Sequence, residues 1–164
     1  MKVYLACTVT EGQDLEINKQ IVDYLHSRGH KVLDEHVAYE NHREVFQKNA
    51  EVSFAGKPQH EIENIIRDQD FKWLEEAEVF IGLYYELSFG TAIEFEHLRF
   101  LIKLSRTDRL VEPIIEPKLF LCIFLRDGKR SAMIHGIDCA ESSYITKLLV
   151  SSKSEALDVI RRWL

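Results

Sequence analysis

A chain of 164 residues, 46% hydrophobic and 29% charged, fits one globular domain spanning 1–164 and large enough to bury its own core. The formal net charge of -6 weighs against a nucleic-acid polymer as partner, which would call for a basic stripe. It leaves a mononucleotide open, because one phosphate needs only a local pocket of donors.

The elements alternate from the start. Met1 to Cys7 (MKVYLAC) is a short apolar run of β formers, followed by the polar loop TVTEGQD. Leu15 to Arg28 carries Ile17, Ile21 and Leu25 at four-residue steps, an amphipathic helix closed by Gly29. His30 to Leu33 resumes a strand. Glu35 to Lys57 reads as a long, mobile and mostly irregular loop over one end of the sheet, with a short helix around Arg43 to Ala50. A helix over His60 to Ala77, a strand over Glu78 to Leu83 and a helix over Thr91 to Leu104 come next. Lys118 to Leu125 (KLFLCIFL) reads as a fully buried strand, Tyr144 to Val150 as a fifth, and Ser154 as the N-cap of a closing helix that runs to Leu164. Such alternation predicts an α/β domain, a mainly parallel five-stranded sheet with helices on both faces and ligands beyond the carboxyl ends of the strands.

Cys7, Cys122 and Cys139 share no CxxC or zinc-like spacing, and Cys7 and Cys122 lie in apolar runs where a free cysteine acts as a small hydrophobe. Neither a signal peptide nor an apolar run long enough to span a bilayer is legible, so a reduced, cytoplasmic protein with no membrane partner is expected.

Two carboxylates stand where apolar residues belong. The stripe of Ile62, Ile65, Ile66, Trp73, Leu74 and Ala77 runs through Asp70, and Glu94 lies one helical step before Leu98 on the inner face of its helix. An acid on a core-facing stripe is costly unless it is paired, hydrogen-bonded or opens into a cavity. Each could cap a backbone group or meet a lysine or arginine. Together they also match what glycosidic cleavage needs, one group to attack the anomeric carbon and one to manage the leaving group's proton. SFGTAIE is expected to run through a tight Gly90 turn into the helix, placing Glu94 in the first turn. Helix amides there would favour the ionised carboxylate, and with Ser88 they could hold an anion.

In order along the chain, MKVYLAC, Glu35–His36–Val37, DQDFKWLEEAEVFIG, SFGTAIE and RSAMIHG resemble the nucleoside 2-deoxyribosyltransferase superfamily, and most closely its 2'-deoxynucleoside 5'-phosphate N-hydrolases. The resemblance spans nearly the whole chain, and its most specific element pairs DxxWLxxA at Asp70 with SxGxxxE ending at Glu94. It implies a single flavodoxin-like domain in which Glu94 is the nucleophile and Asp70 orients the sugar and assists departure of the base. It further implies Tyr4 as an active-site tyrosine and His36 as a lining residue of the base and sugar pocket. Ser88, Gly90 and Thr8 match the phosphate side. Ser131 resembles a serine that reaches the 5'-phosphate from the neighbouring subunit of a homodimer. The small-molecule partner is then a nucleoside or nucleotide, and no metal or organic cofactor is implied.

The departures fall on specificity. Thr10 stands where the hydrolases carry an arginine, and Glu11 follows it, which would weaken a charge-assisted phosphate contact by about 1.5–3 kcal/mol. Lys129 or Arg130 would compensate from a second subunit, and Val111 to Ile115 could add an apolar contact. Ala92 and Ile93 replace the usual glycine and tyrosine. Three activities stay open: hydrolysis of a nucleoside monophosphate, transfer of the sugar to a second base, and nucleotide binding without catalysis.

Overall fold

The computed structural model describes residues 1–7, 13–84, 90, 92–98, 100, 119–125 and 145–164. Five strands, β1 (Lys2–Ala6), β2 (Lys31–Val32), β3 (Val79–Tyr84), β4 (Leu119–Leu125) and β5 (Ile145–Val150), form one sheet in the order β2-β1-β3-β4-β5. Every pairing is parallel, in the registers Val3↔Val32, Tyr4↔Phe80, Gly82↔Cys122 and Ile123↔Leu148. The fold is a doubly wound α/β domain of flavodoxin-like strand order.

The first crossover steps from β1 outward to β2, and the second jumps back over β1 to β3. Right-handed crossovers in opposite directions put their helices on opposite faces. Accordingly α1 (Gln13–Ser27) and the last helix, α5 (Glu155–Trp163), pack Ile21, Val22, Leu25, Ala156 and Ile160 on Val3, Leu5, Ile81 and Ile123. On the other face α3 (Gln59–Glu76) and α4 (residues 92–98) pack Trp73, Leu74, Phe95 and Leu98 on Tyr4, Phe80, Tyr84 and Phe124. The first layer is aliphatic, the second aromatic. β3 is buried at all six positions, as a central strand covered on both faces must be.

Two expectations change. In the segment from Glu35 to Lys57 the expected short helix is present as α2 (His42–Ala50), and the part before it, expected to be irregular, forms a 3-10 turn (Glu35–Ala38). Phe46 is buried from α2 against Trp73, at 5.3 Å between ring centroids, and Asn18 Nδ2 donates to the Val37 carbonyl at 3.1 Å. A few apolar residues in a polar background are enough, because each lands on a preformed aromatic layer. Ser154 does not cap α5 through its side chain: its backbone is helical at φ -65 and ψ -29. Glu155 instead ties down the turn before the helix, its Oε2 accepting the Ser151 amide at 2.6 Å. Gly29, at φ 78, closes α1 in the left-handed conformation expected of it. Cys122 is buried and Cys7 partly buried. Cys139 lies outside the described residues. Among the described residues no helix is long and apolar enough to cross a membrane.

Ala6, Gly82 and Cys122 share one row across three strands, a floor of small residues on the aromatic face. The Tyr84 ring folds back over it. A Cβ on Gly82 would stand 2.6 Å from Tyr84 Cε2 and 2.9 Å from Phe80 Cε1. Neither ring is free to yield, since Tyr84 stacks on Phe124 at 4.9 Å and Phe80 on Tyr4 at 6.0 Å. Gly82→Ala is therefore expected to destabilise the domain by about 1–3 kcal/mol. Thermal unfolding would show it as a lowering of several degrees; an unchanged melting temperature would mean that the rings move freely.

Candidate active site

Tyr4 lies in β1 beside the point where strand order reverses, the usual ligand crevice of such sheets. Its ring is fixed by stacking on Phe80 at an interplanar angle of 7°. Its hydroxyl donates to Glu94 Oε1 at 3.1 Å. Glu94 reaches inward because Phe95 and Leu98, on the same turns of α4, are buried in the aromatic layer. Gly90 is already helical and exposed, so Glu94 stands a full turn beyond it. The expected tight turn at Gly90 and first-turn position of Glu94 are corrected accordingly, and the helix amides no longer account for its ionisation, since their effect fades within one turn.

Asp70 enters from α3, one turn before the fully buried Leu74. Both acids are partly buried, which leaves them reachable by a small ligand. Asp70 Oδ1 is sealed from solvent without a hydrogen-bond partner among the described residues. A buried oxygen left in this way calls for a reason, and a bound substrate is one.

Burial, and then the neighbouring Glu94, push the Asp70 carboxyl up to about 8. Burial raises Glu94 to about 7, with the Tyr4 hydrogen bond pulling the other way. The same burial, together with Glu94, drives the Tyr4 hydroxyl well above its ordinary range, so it stays a donor. Burial thus holds both carboxyls above the ordinary carboxylate range, Asp70 further than Glu94.

Removing the hydroxyl with Tyr4→Phe is expected to move the acidic limb of any Glu94-dependent rate to higher pH, since the bond lowers the Glu94 pKa. The maximal rate should fall roughly 10- to 100-fold, the worth of a hydrogen bond to a charged group. A pH–rate profile with an unmoved acidic limb would sever Tyr4 from Glu94.

His36 lies in the 3-10 turn, its ring edge-on to Phe46 at 5.2 Å and tilted against Trp73 at 6.1 Å. Trp73 is one turn from Asp70, so His36 reaches the same aromatic wall. Burial, and then His42, lower its pKa to about 4, so the imidazole is neutral at physiological pH. Its Nδ1 is buried without a partner among the described residues. Tyr4, Asp70, Glu94 and His36 thus belong to one layer. Thr8, Thr10, Ser88 and Ser131 lie outside the described residues, as do Lys129, Arg130 and the stretch Val111 to Ile115.

Sequence reasoning missed Asp34. It lies two residues beyond β2, at the start of the 3-10 turn, is 1% exposed, and accepts the Leu5 amide at 2.8 Å through Oδ1. Burial drives its carboxyl well up, and Glu94 and Asp70 add to the rise. An acid directly after an apolar strand, at the carboxyl end of a parallel sheet, was the signal that could have found it. Among the described residues no group of three or more histidines, cysteines and acids is placed to hold a metal ion.

A solved structure shares this architecture over its full length. The Clostridium botulinum CMP N-glycosidase BcmB aligns over 100% of both chains with a TM-score of 0.62 and 14% sequence identity. The fold is common to both. At that identity the likeness speaks for the fold, and the chemistry has to be argued from the side chains. No protein-family model matches the sequence, and no curated protein matches it.

Proposed function

We propose that the chain is an N-glycosidase that hydrolyses (deoxy)nucleoside 5'-monophosphates to free base and sugar 5-phosphate. The observation that carries this reading is the pair of coupled carboxyls, Glu94 held by the Tyr4 hydroxyl at 3.1 Å and Asp70 biased toward its acid form. A full-length fold shared with a CMP N-glycosidase agrees with it.

The Glu94 carboxylate attacks C1' as the C1'–N bond breaks, and Asp70 delivers its proton to the departing base. A glycosyl ester on Glu94 results. Water then attacks C1', its proton passing to the Asp70 carboxylate, and Glu94 is released ionised. Two displacements retain the anomeric configuration. Neutral His36 offers the base one donor or acceptor within an aromatic wall. Thr8, Thr10, Ser88, Gly90 and Ser131 are assigned to the phosphate side on the resemblance, with Ser131 crossing from the second subunit of a homodimer.

Incubation with deoxy- and ribonucleoside monophosphates and their dephosphorylated counterparts, followed by chromatography, tests the reading. Free base is expected from a monophosphate without any acceptor. Exchange that requires an added base would make the protein a transferase. Binding with no cleavage on either panel would make it a non-catalytic nucleotide-binding module.

A further inference from the structure

Between β1 and β2 the ladder runs from the Lys31 amide to the Met1 carbonyl at 3.0 Å and from the Leu33 amide to the Val3 carbonyl at 2.9 Å. One rung further on, β2 has ended. The Leu5 amide there donates to the Asp34 carboxyl at 2.8 Å. Leu5 is fully buried, and water does not replace a lost acceptor at such a site. The peptide held in this way joins Leu5 to Tyr4, the residue whose hydroxyl meets Glu94. Two hydrogen bonds thus connect Asp34 to Glu94 through two adjacent residues of β1.

We propose that Asp34 is a positioning residue for Glu94: by taking the Leu5 amide it fixes the Tyr4–Leu5 peptide, and so the point from which the Tyr4 hydroxyl reaches the nucleophile. The catalytic consequence rests on the N-glycosidase reading, whereas the positioning rests on geometry. The titratable groups that act on Asp34 are Glu94 and Asp70, and Asp34 in turn acts on Tyr4. Burial raises the Asp34 carboxyl well above its ordinary range, and what the geometry asks of it is an oxygen that accepts the Leu5 amide. Asparagine carries the same carbonyl oxygen at the same reach, and alanine carries none.

The experiment follows the Glu94 carboxyl by carbon-13 NMR across pH and base release by chromatography, in wild type, Asp34→Asn and Asp34→Ala. Asparagine should leave both readings close to wild type. Alanine should move the Glu94 midpoint upward, because the Tyr4 bond that lowers it is loosened. It should also lower kcat roughly tenfold or more, with KM changed by less than about threefold. In a Tyr4→Phe background the alanine change should add nothing further. An unmoved midpoint in Asp34→Ala, or losses that multiply with Tyr4→Phe, would overturn the positioning role. So would an asparagine variant as damaged as the alanine one. Should Asp34→Ala not fold, Asp34→Ser, whose hydroxyl is one bond too short, takes its place in the same comparison. If the wild type releases no base, the N-glycosidase reading falls, and the Glu94 titration still decides the role of Asp34.

Discussion

Glu94→Ala is expected to release base at least about 10³-fold more slowly than wild type, a loss of roughly 4 kcal/mol of transition-state stabilisation. Glu94→Gln should lose as much while keeping an oxygen for the Tyr4 hydroxyl, which separates lost chemistry from lost packing. Stability should move the other way. Glu94 is an acid whose pKa is raised on folding, from 4.5 to about 7, so the native state binds its proton more tightly than the unfolded chain does. The sign follows: stability is highest below the unfolded value, falls as pH rises between the two, and the penalty is complete above about 7. It amounts to about 3 kcal/mol at most. Glu94→Gln removes that penalty, so its melting temperature should gain on wild type between pH 5 and pH 8. Full base release by either variant would sink the nucleophile assignment, and a stability gap independent of pH would sink the buried-acid account.

Asp70→Asn carries the second large effect. If Asp70 supplies the leaving group's proton, its loss should cost roughly 10²- to 10⁴-fold in rate, the usual range for general acid catalysis. The wild-type rate should peak between the Glu94 value of about 7 and the Asp70 value of about 8, needing the first ionised and the second protonated. Asp70→Asn should lose the alkaline limb of that profile and keep the acidic one. A nucleotide whose base already carries a positive charge, such as 7-methylguanosine monophosphate, needs no proton to leave. On that substrate the loss should shrink by at least about tenfold. Equal losses on both substrates would show that Asp70 only orients the sugar.

Much of this site could be read from the chain before any coordinates. Helical steps of three and four expose an acid on an apolar stripe, and Asp70 and Glu94 both enter the aromatic layer as that rule requires. In the folded strand Tyr4 shares a face with Ala6 and lies opposite Val3 and Leu5. The segment from Glu35 to Lys57 was harder, because its structure depends on Phe46 finding Trp73 and His36, residues of other elements. Asp34 was harder still. Its partner, Leu5, is 29 positions away, and nothing local to Asp34 says that a backbone amide there will lack its ladder carbonyl.

By itself, then, the sequence determined the alternation of strands and helices, the two inward acids and a net negative charge, all consequences of short-range periodicity and composition. Only the tertiary structure decided the raised proton affinity of those acids, the grip of Tyr4 on Glu94 and the place of Asp34. Those depend on desolvation and on distances between residues of different elements, which exist only once the sheet has been laid down and its aromatic face closed.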